Sequence, residues 1–152
     1  LAPATAALID GVHPIRGQLA FIPQALTDRV VRGAGAYVAP APGGAVIGAT
    51  MEAGQRALDI NAPAGARQTA AGLALVGATS GDQPQYRVGI RGASADGLPL
   101  AGPSGEAGLY LALAPRRNGW LLAPLTARIV ADAIEGRDAD VHAATFDPLR
   151  FG

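Results

Sequence analysis

The chain has 152 residues, enough for a domain with a sizeable core, and 49% of them are hydrophobic. Its 12 basic and 12 acidic residues balance, which argues against a protein that binds nucleic acid or a membrane surface through net charge. Cysteine is absent, which excludes disulfides and a thiol nucleophile and is compatible with a reducing compartment, so we expect a cytoplasmic location.

Targeting and metal-binding signals are missing from the sequence. No apolar run is long enough to span a membrane, and the first residues do not resemble a signal peptide. Because the chain begins at Leu1 and not at Met, we interpret it as a processed product or as part of a longer protein. The two histidines, His13 and His142, have no third nitrogen or sulfur ligand beside them, so we expect no metal site.

The first fifty residues predict one short helix and several strands. The alanine-rich segment Leu1–Ile9 is either a short helix or the frayed edge of a missing part, and the apolar, β-branched segment Ile15–Ile22 favours a strand. Tyr37–Ala39 and Ala45–Ala49 flank the turn Pro42-Gly43-Gly44, which is typical of a β-hairpin.

The next segments extend this pattern. Met51–Asn61 is a polar loop, and Gly65–Val76 is a plausible helix that Gly72 weakens. Tyr86–Arg91 alternates as a strand does, and Leu109–Leu113 predicts another strand. Together these segments predict an α+β fold with an antiparallel sheet.

The strongest helical pattern lies near the C-terminus. Pro124 suits a first helical turn, and Gly136 is a natural C-terminal stop. Leu122, Leu125, Ile129 and Ala133 form the apolar stripe, which Val130 and Ile134 widen. From spacing alone, the helix start is either a site for an electron-rich ligand atom or the end of an ordinary packed helix.

A dinucleotide-binding fingerprint is absent. Gly33-Ala34-Gly35 is followed three positions later by Val38 and not by glycine, and no strand-to-helix pattern surrounds it. The segment therefore fails the G-x-G-x-x-G test.

An ordered set of short motifs resembles a known family. The motifs are Arg91, Asp96-Gly97-Leu98-Pro99, Gly102-Pro103, Gly108-Leu109-Tyr110, Arg117-Asn118-Gly119, Leu121-Leu122-Ala123-Pro124 and the ending Phe146-Asp147-Pro148-Leu149-Arg150-Phe151. Their order and spacing resemble the C-terminal part of the FAD-dependent amine oxidases of the D-amino-acid oxidase and glycine oxidase type. Near the N-terminus, Pro14-Ile15-Arg16-Gly17-Gln18 is similar to an element of the same family.

The resemblance implies a domain plan and a cofactor. Residues 1–92 would form the substrate-binding domain, and residues 93–152 would form the C-terminal segment of an FAD-binding domain. That strand-loop-helix segment would complete a Rossmann-type FAD domain whose N-terminal half is not in this chain. The implied partners are that N-terminal half, from the same precursor or a separate chain, and a small amino-acid or amine substrate.

The resemblance also implies the site residues. Arg91 would hold the substrate carboxylate through a two-pronged contact, with help from Tyr37 and Arg117. The residues expected beside the flavin are Arg117, Asn118, Gly119, Trp120, Leu121 and Leu122. The family oxidises a C–N bond by hydride transfer to flavin, so no side-chain nucleophile is implied.

The sequence departs from the family pattern around this loop. Ala114-Pro115-Arg116 stands where the family usually has Gly-His-x, Trp120 where a smaller aliphatic residue is usual, and Gly92 where proline usually follows the arginine. These departures motivate an alternative, a non-catalytic binding or interaction domain that kept the architecture and lost flavin. A third interpretation is a binding module unrelated to flavin, with Arg91 in a structural ion pair.

If the N-terminal half is missing, the strand and helix that pack against it should keep an exposed apolar face. The side chains expected on that face are Leu109, Leu111, Leu113, Leu122, Leu125 and Ile129. We expect a homo-oligomer or the separate N-terminal half to cover it.

Overall fold

The fold is known from a computed structural model that describes residues 1–33 and 35–151. Ala34, at the centre of the Gly33-Ala34-Gly35 segment, therefore lies outside the described residues. The chain divides into two compact units. One unit is Arg16–Ile90, and the other combines Leu1–Ile15 with Arg91–Gly152.

Eight strands and five helical segments make up the described chain. The strands are β1 (His13–Ile22), β2 (Val31–Gly33), β3 (Ala36–Ala41), β4 (Gly44–Gly48), β5 (Glu52–Ala53), β6 (Gln85–Ala93), β7 (Leu100–Pro103) and β8 (Tyr110–Leu113). The helices are α1 (Pro3–Asp10), α2 (Ala62–Leu75), α3 (Gly119–Glu135) and α4 (Ala143–Phe146), with a 3-10 helix at Pro148–Phe151. The predicted α+β class with antiparallel sheets is confirmed.

The main sheet is built from hairpins. Its strand order is β2-β3-β4-β1-β5, and β6 also pairs with β1. The antiparallel register joins Val38 to Ile47 across β3 and β4, and Ala20 to Ile47 across β1 and β4. The core of this unit consists of Ala20, Ile22, Val38, Ala45 and Ile47.

Helix α2 packs on this sheet at two glycines. A Cβ added at Gly72 would lie 2.3 Å from Cγ2 of Ile47, and one at Gly65 would lie 2.4 Å from Nε2 of Gln18. Glycine costs helix stability in general, but here it lets the helix backbone approach the sheet. Gly72, which weakens the helix prediction, is therefore required by the packing of α2 on the sheet.

The strands and the helix predicted for this unit are present in the structure, although their ends are shifted. The structure adds two short strands that the sequence does not predict, β2 and β5, and β5 begins within the predicted Met51–Asn61 loop. Both are too short for an alternating pattern to show, since β2 has three residues and β5 has two.

The other unit contains a two-stranded hairpin covered by helices. Strand β7 pairs antiparallel with β8, and α3 and α4 pack on β7. The centre of the packing is Ala101, Ile129 and Phe146, with Leu122 and Leu125 against it. In the described part of the chain, β8 pairs with no other strand, so one of its edges is unpaired. Strand β7 was not predicted, because its sequence Leu-Ala-Gly-Pro resembles a turn.

The start of α3 corrects the helix prediction. The helix begins at Gly119, so Pro124 lies inside it and not in its first turn. The C-terminal end at Gly136 is confirmed, since Gly136 is left-handed with φ 64° and caps the helix. Ile134 is 58% exposed and does not belong to the buried stripe.

The expectation of an exposed apolar face without internal partners is wrong for four of its six side chains. Leu111 is 6% exposed and Ile129 is 3% exposed, and Ile129 belongs to the core of this unit, against which Leu122 and Leu125 pack. Leu109, Leu113, Leu122 and Leu125 are half-buried.

In the described residues, no helix combines the length and apolar character that a membrane crossing requires.

Candidate functional site

Arg91 carries a buried polar atom without a partner. It lies near the end of β6, two residues before the strand ends at Ala93. Its side chain is half-buried, and Nη1 is buried and makes no hydrogen bond to any described residue. A buried guanidinium nitrogen without an acceptor is costly in free energy, and this atom distinguishes Arg91 from the other arginines in the described part of the chain.

The loop from Ala114 to Asn118 leads from β8 into α3 in a strained conformation. Ala114 and Arg116 have positive φ values, 55° and 49°, although neither is glycine. Each such residue costs about 1–2 kcal/mol in a left-handed conformation, so the surrounding structure must hold it.

That loop is attached to the end of β6. The N–H of Arg116 donates to the carbonyl of Gly92 at 3.1 Å, and Ala93 forms an isolated antiparallel bridge with Pro115. The loop therefore joins the backbone immediately after Arg91.

The start of α3 is open. Asn118 stands at the N-cap position, but its side chain makes no capping hydrogen bond. The first N–H groups of the helix thus lack the side-chain acceptor that usually satisfies one of them. Trp120 is 99% exposed and Leu121 is 77% exposed, while Leu122 is half-buried against the core. Arg117 is exposed on the loop.

The Asp96 carboxylate belongs to the same unit as this loop. Asp96 accepts hydrogen bonds from Nε and Nη2 of Arg150, both at 2.9 Å, and from the N–H of Leu98 at 2.9 Å. The Arg150 guanidinium holds the pKa of the Asp96 carboxyl well below its usual range, and the Leu98 N–H and Ser94 hydroxyl add to this.

Tyr37 lies on β3 in the other unit. It is opposite Gly48 in the antiparallel register, and its ring occupies the space that a side chain at Gly48 would need. A Cβ there would lie 2.3 Å from the Tyr37 hydroxyl oxygen. Cζ of Arg32 is 5.7 Å from the centre of the ring, a cation–π contact.

A polar network surrounds Gln18 in the same unit. Gln18 is 2% exposed, and its side-chain amide exchanges two hydrogen bonds with the backbone of Asn61, at 3.0 and 2.9 Å. The Asn61 side chain accepts from the N–H of Ala64 and so caps α2. Glu52 pairs with Arg16, and this contact lowers the pKa of the Glu52 carboxyl. This network fixes the position of α2 on the sheet.

The structure links some of the predicted site residues to one another but not all of them. Arg91 and the 114–119 loop belong to one unit and are linked through Gly92, whereas Tyr37 belongs to the other unit. The described residues contain no cluster of histidine and carboxylate side chains able to hold a metal ion.

Sequence reasoning did not identify the contact between Asp96 and Arg150 as part of this arrangement. The two residues are 54 positions apart, and only their places in two family-like motifs could have suggested a link.

Comparisons with known proteins show which family the chain belongs to. The model of the FAD dependent oxidoreductase family matches residues 2–133. The chain is 33% identical over 154 residues to the bifunctional protein ThiO/ThiG of Trichormus variabilis, covering 92% of this chain and 23% of the relative. It is 31% identical over 144 residues to glycine oxidase of Pseudomonas aeruginosa, covering 90% of this chain and 39% of that enzyme.

A solved structure shows the same fold. Glycine oxidase from Geobacillus kaustophilus superimposes with a TM-score of 0.76 at 29% identity, over 92% of this chain and 40% of that enzyme. The chain therefore spans well under half the length of these relatives. Since the family model covers most of its residues, the chain belongs to the family of FAD-dependent oxidoreductases that includes glycine oxidase.

Proposed function

We propose that this chain is the substrate-binding and C-terminal part of an oxidoreductase that oxidises the C–N bond of a small amino acid or secondary amine. The observation that carries the proposal is the buried, unpartnered Nη1 of Arg91, the residue next to Gly92, whose carbonyl binds the loop that leads into α3. A planar guanidinium binds a carboxylate through two parallel hydrogen bonds, which sets orientation as well as charge. Arg91 is thus the carboxylate anchor.

Tyr37 and Arg117 complete the substrate contacts in this proposal. The Tyr37 hydroxyl donates one further hydrogen bond to the carboxylate, and Arg117 adds a second positive charge near the reacting groups. The role of these residues is to hold the α C–H in one orientation, since positioning alone accounts for a large share of rate enhancement. No side chain forms a covalent bond to the substrate.

The residues at the start of α3 fit FAD. The open N-terminus of a 17-residue helix presents N–H groups and a positive dipole end to an electron-rich ring edge. Asn118, Gly119 and Trp120 lie on this first turn, and Leu121 and Leu122 follow them. FAD held by these residues would supply the acceptor for the hydride that leaves the α-carbon, and water would then hydrolyse the imine product.

The same proposal assigns two parts to the chain. Residues 1–92 bind substrate, and residues 93–152 complete an FAD-binding domain whose N-terminal half supplies the pyrophosphate site. Support comes from the unpaired edge of β8 and from the relatives, which are longer than this chain.

The test compares two substitutions in the full-length, flavin-loaded protein. We expect Arg91→Lys to reduce kcat/KM for glycine, sarcosine or small D-amino acids more than Tyr37→Phe does. Lysine keeps the charge but loses the fork, and a charge-assisted contact is worth about 1.5–3 kcal/mol against about 1 kcal/mol for a neutral hydrogen bond. Unchanged kcat/KM in Arg91→Lys for every active substrate would exclude Arg91 as the anchor.

A second candidate is a domain that kept this architecture without flavin. Trp120 favours it, because a fully exposed indole occupies the first turn of α3, where the cofactor edge is proposed to lie. The absorbance spectrum of the purified full-length protein separates the two candidates. Flavin bands near stoichiometric strength support the oxidoreductase, and their absence supports the second candidate.

A further inference from the structure

Asp96 and Arg150 form a two-pronged ion pair that no substrate contact explains. The Arg150 side chain is 13% exposed, and its Nε and Nη2 each lie 2.9 Å from a different oxygen of Asp96. Nη2 of Arg150 also donates to the carbonyl of Leu98 at 3.2 Å. Such a fork is directional, so it fixes where the segment around Asp96 lies relative to the C-terminal 3-10 helix.

The segment held in this way is a tight turn. The Asp96 carboxylate accepts from the N–H of Leu98, and the hydroxyl oxygen of Ser94 lies 2.9 Å from the same oxygen. The N–H of Gly97 donates to the carbonyl of Ser94 at 3.1 Å, and Gly97 is left-handed with φ 77°. Residues 94–98 therefore form a closed hydrogen-bonded turn.

This turn supports Arg116. A Cβ added at Gly97 would lie 3.2 Å from Nη1 and 3.7 Å from Cδ of Arg116. The Arg116 side chain therefore lies against the turn, over a position that has no side chain. Arg116 itself is one of the two strained residues of the loop, and its N–H bonds to Gly92, the neighbour of Arg91.

We propose that Asp96 and Arg150 are positioning residues, which hold the Ala114–Asn118 loop in its strained conformation and so place Arg91 and the start of α3. Three contacts in one unit connect the ion pair to the loop: the two-pronged pair itself, the side chain of Arg116 on the turn, and the backbone hydrogen bond from Arg116 to Gly92. A strained backbone persists only where its surroundings fix it. The proposal rests on the proposed function for the role of Arg91.

The test uses Arg150→Met and Asp96→Asn in the full-length, flavin-loaded protein. The first readout is hydrogen exchange at the Arg116 amide, which donates to Gly92. The second is the Kd of propionate, a small carboxylate without an amine, measured by titration calorimetry. Arg137→Met is the matched control, because Arg137 pairs with Asp132 in the same unit away from this loop.

We expect both variants to retain flavin. The Arg116 amide should exchange about tenfold faster, and propionate should bind about tenfold more weakly, because a small displacement of the oriented Arg91 guanidinium weakens its contact with a carboxylate. Arg150→Lys should fall between Arg150→Met and the natural protein, since it keeps the charge and loses the fork. The control should change neither readout.

Two results would overturn the proposal. One is an unchanged exchange rate at Arg116 in both variants. The other is a lower Tm with unchanged propionate binding in both variants while Arg91→Lys weakens that binding, which would mean that the pair contributes to stability alone. Failure of the proposed function is separable: Arg91→Lys would then leave propionate binding unchanged, while exchange at Arg116 would still report whether the pair holds the loop.

Discussion

Ala114 holds a conformation that glycine adopts without steric cost. Its φ is 55°, and it is 5% exposed at the end of β8. The steric cost is about 1–2 kcal/mol.

We expect Ala114→Gly to be nearly neutral. Glycine relieves the left-handed strain of about 1–2 kcal/mol, but it adds about 0.4–1 kcal/mol of unfolded-chain entropy and loses about 0.8 kcal/mol from the buried methyl group, so these effects largely cancel. The matched control is Ala127→Gly, at an exposed position inside α3, which should lower the free energy of unfolding by about 1 kcal/mol. Urea unfolding followed by circular dichroism measures both. A larger loss for Ala114→Gly than for Ala127→Gly would contradict the strain argument.

At the scale of elements, the contact between α2 and the sheet depends on a missing side chain. Gly72 lies inside α2, where alanine would be the better helix former by about 1 kcal/mol. The sheet side of the helix, however, meets Ile47, which is fully buried between β1 and β3. Close packing leaves no room for an added methyl group there.

We expect Gly72→Ala to destabilise the protein despite its helix propensity. The new Cβ would lie 2.3 Å from Cγ2 of Ile47, so the helix or the strand must move, and overpacking of this kind costs about 1–3 kcal/mol. Gly81→Ala is the control, since no heavy atom lies within 4 Å of its added Cβ. Thermal unfolding should show a lower Tm for the first variant and an equal or higher Tm for the second. The packing argument fails if Gly72→Ala raises Tm.

At the scale of the whole molecule, the start of α3 contains the residues that are proposed to contact the flavin ring. The sequence, however, contains no dinucleotide-binding fingerprint. Its solved relative from Geobacillus kaustophilus is matched over 40% of its length. In the proposed arrangement, the pyrophosphate and adenosine of FAD contact the N-terminal half. Most of the binding energy for FAD would then lie outside these 152 residues.

We therefore expect the isolated 152-residue chain not to bind FAD tightly. Titration of the chain into FAD, followed by flavin fluorescence, should give no saturation at micromolar concentrations, whereas the full-length protein should retain flavin through purification. A submicromolar Kd for the isolated chain would show that these residues form a complete cofactor site.

Local patterns in the sequence were sufficient to predict the larger elements. The hairpin around Pro42-Gly43-Gly44, the strand near Tyr86–Arg91 and the end of α3 at Gly136 all depend on turn chemistry and side-chain periodicity within a few residues. The ordered motifs from Arg91 onward were sufficient to predict the family, because each is a short run of residues that keeps its order in the chain.

Only the tertiary structure decided the contacts between distant residues. Three features depend on contacts between segments that lie far apart in the sequence. They are the burial of Leu111 and Ile129, the requirement for glycine at position 72, and the ion pair between Asp96 and Arg150. Periodicity specifies which face of an element is apolar, but not which neighbour covers it or how closely two backbones approach. The buried Nη1 of Arg91 is of the same kind, since a missing partner is visible only once all the surrounding groups are in place.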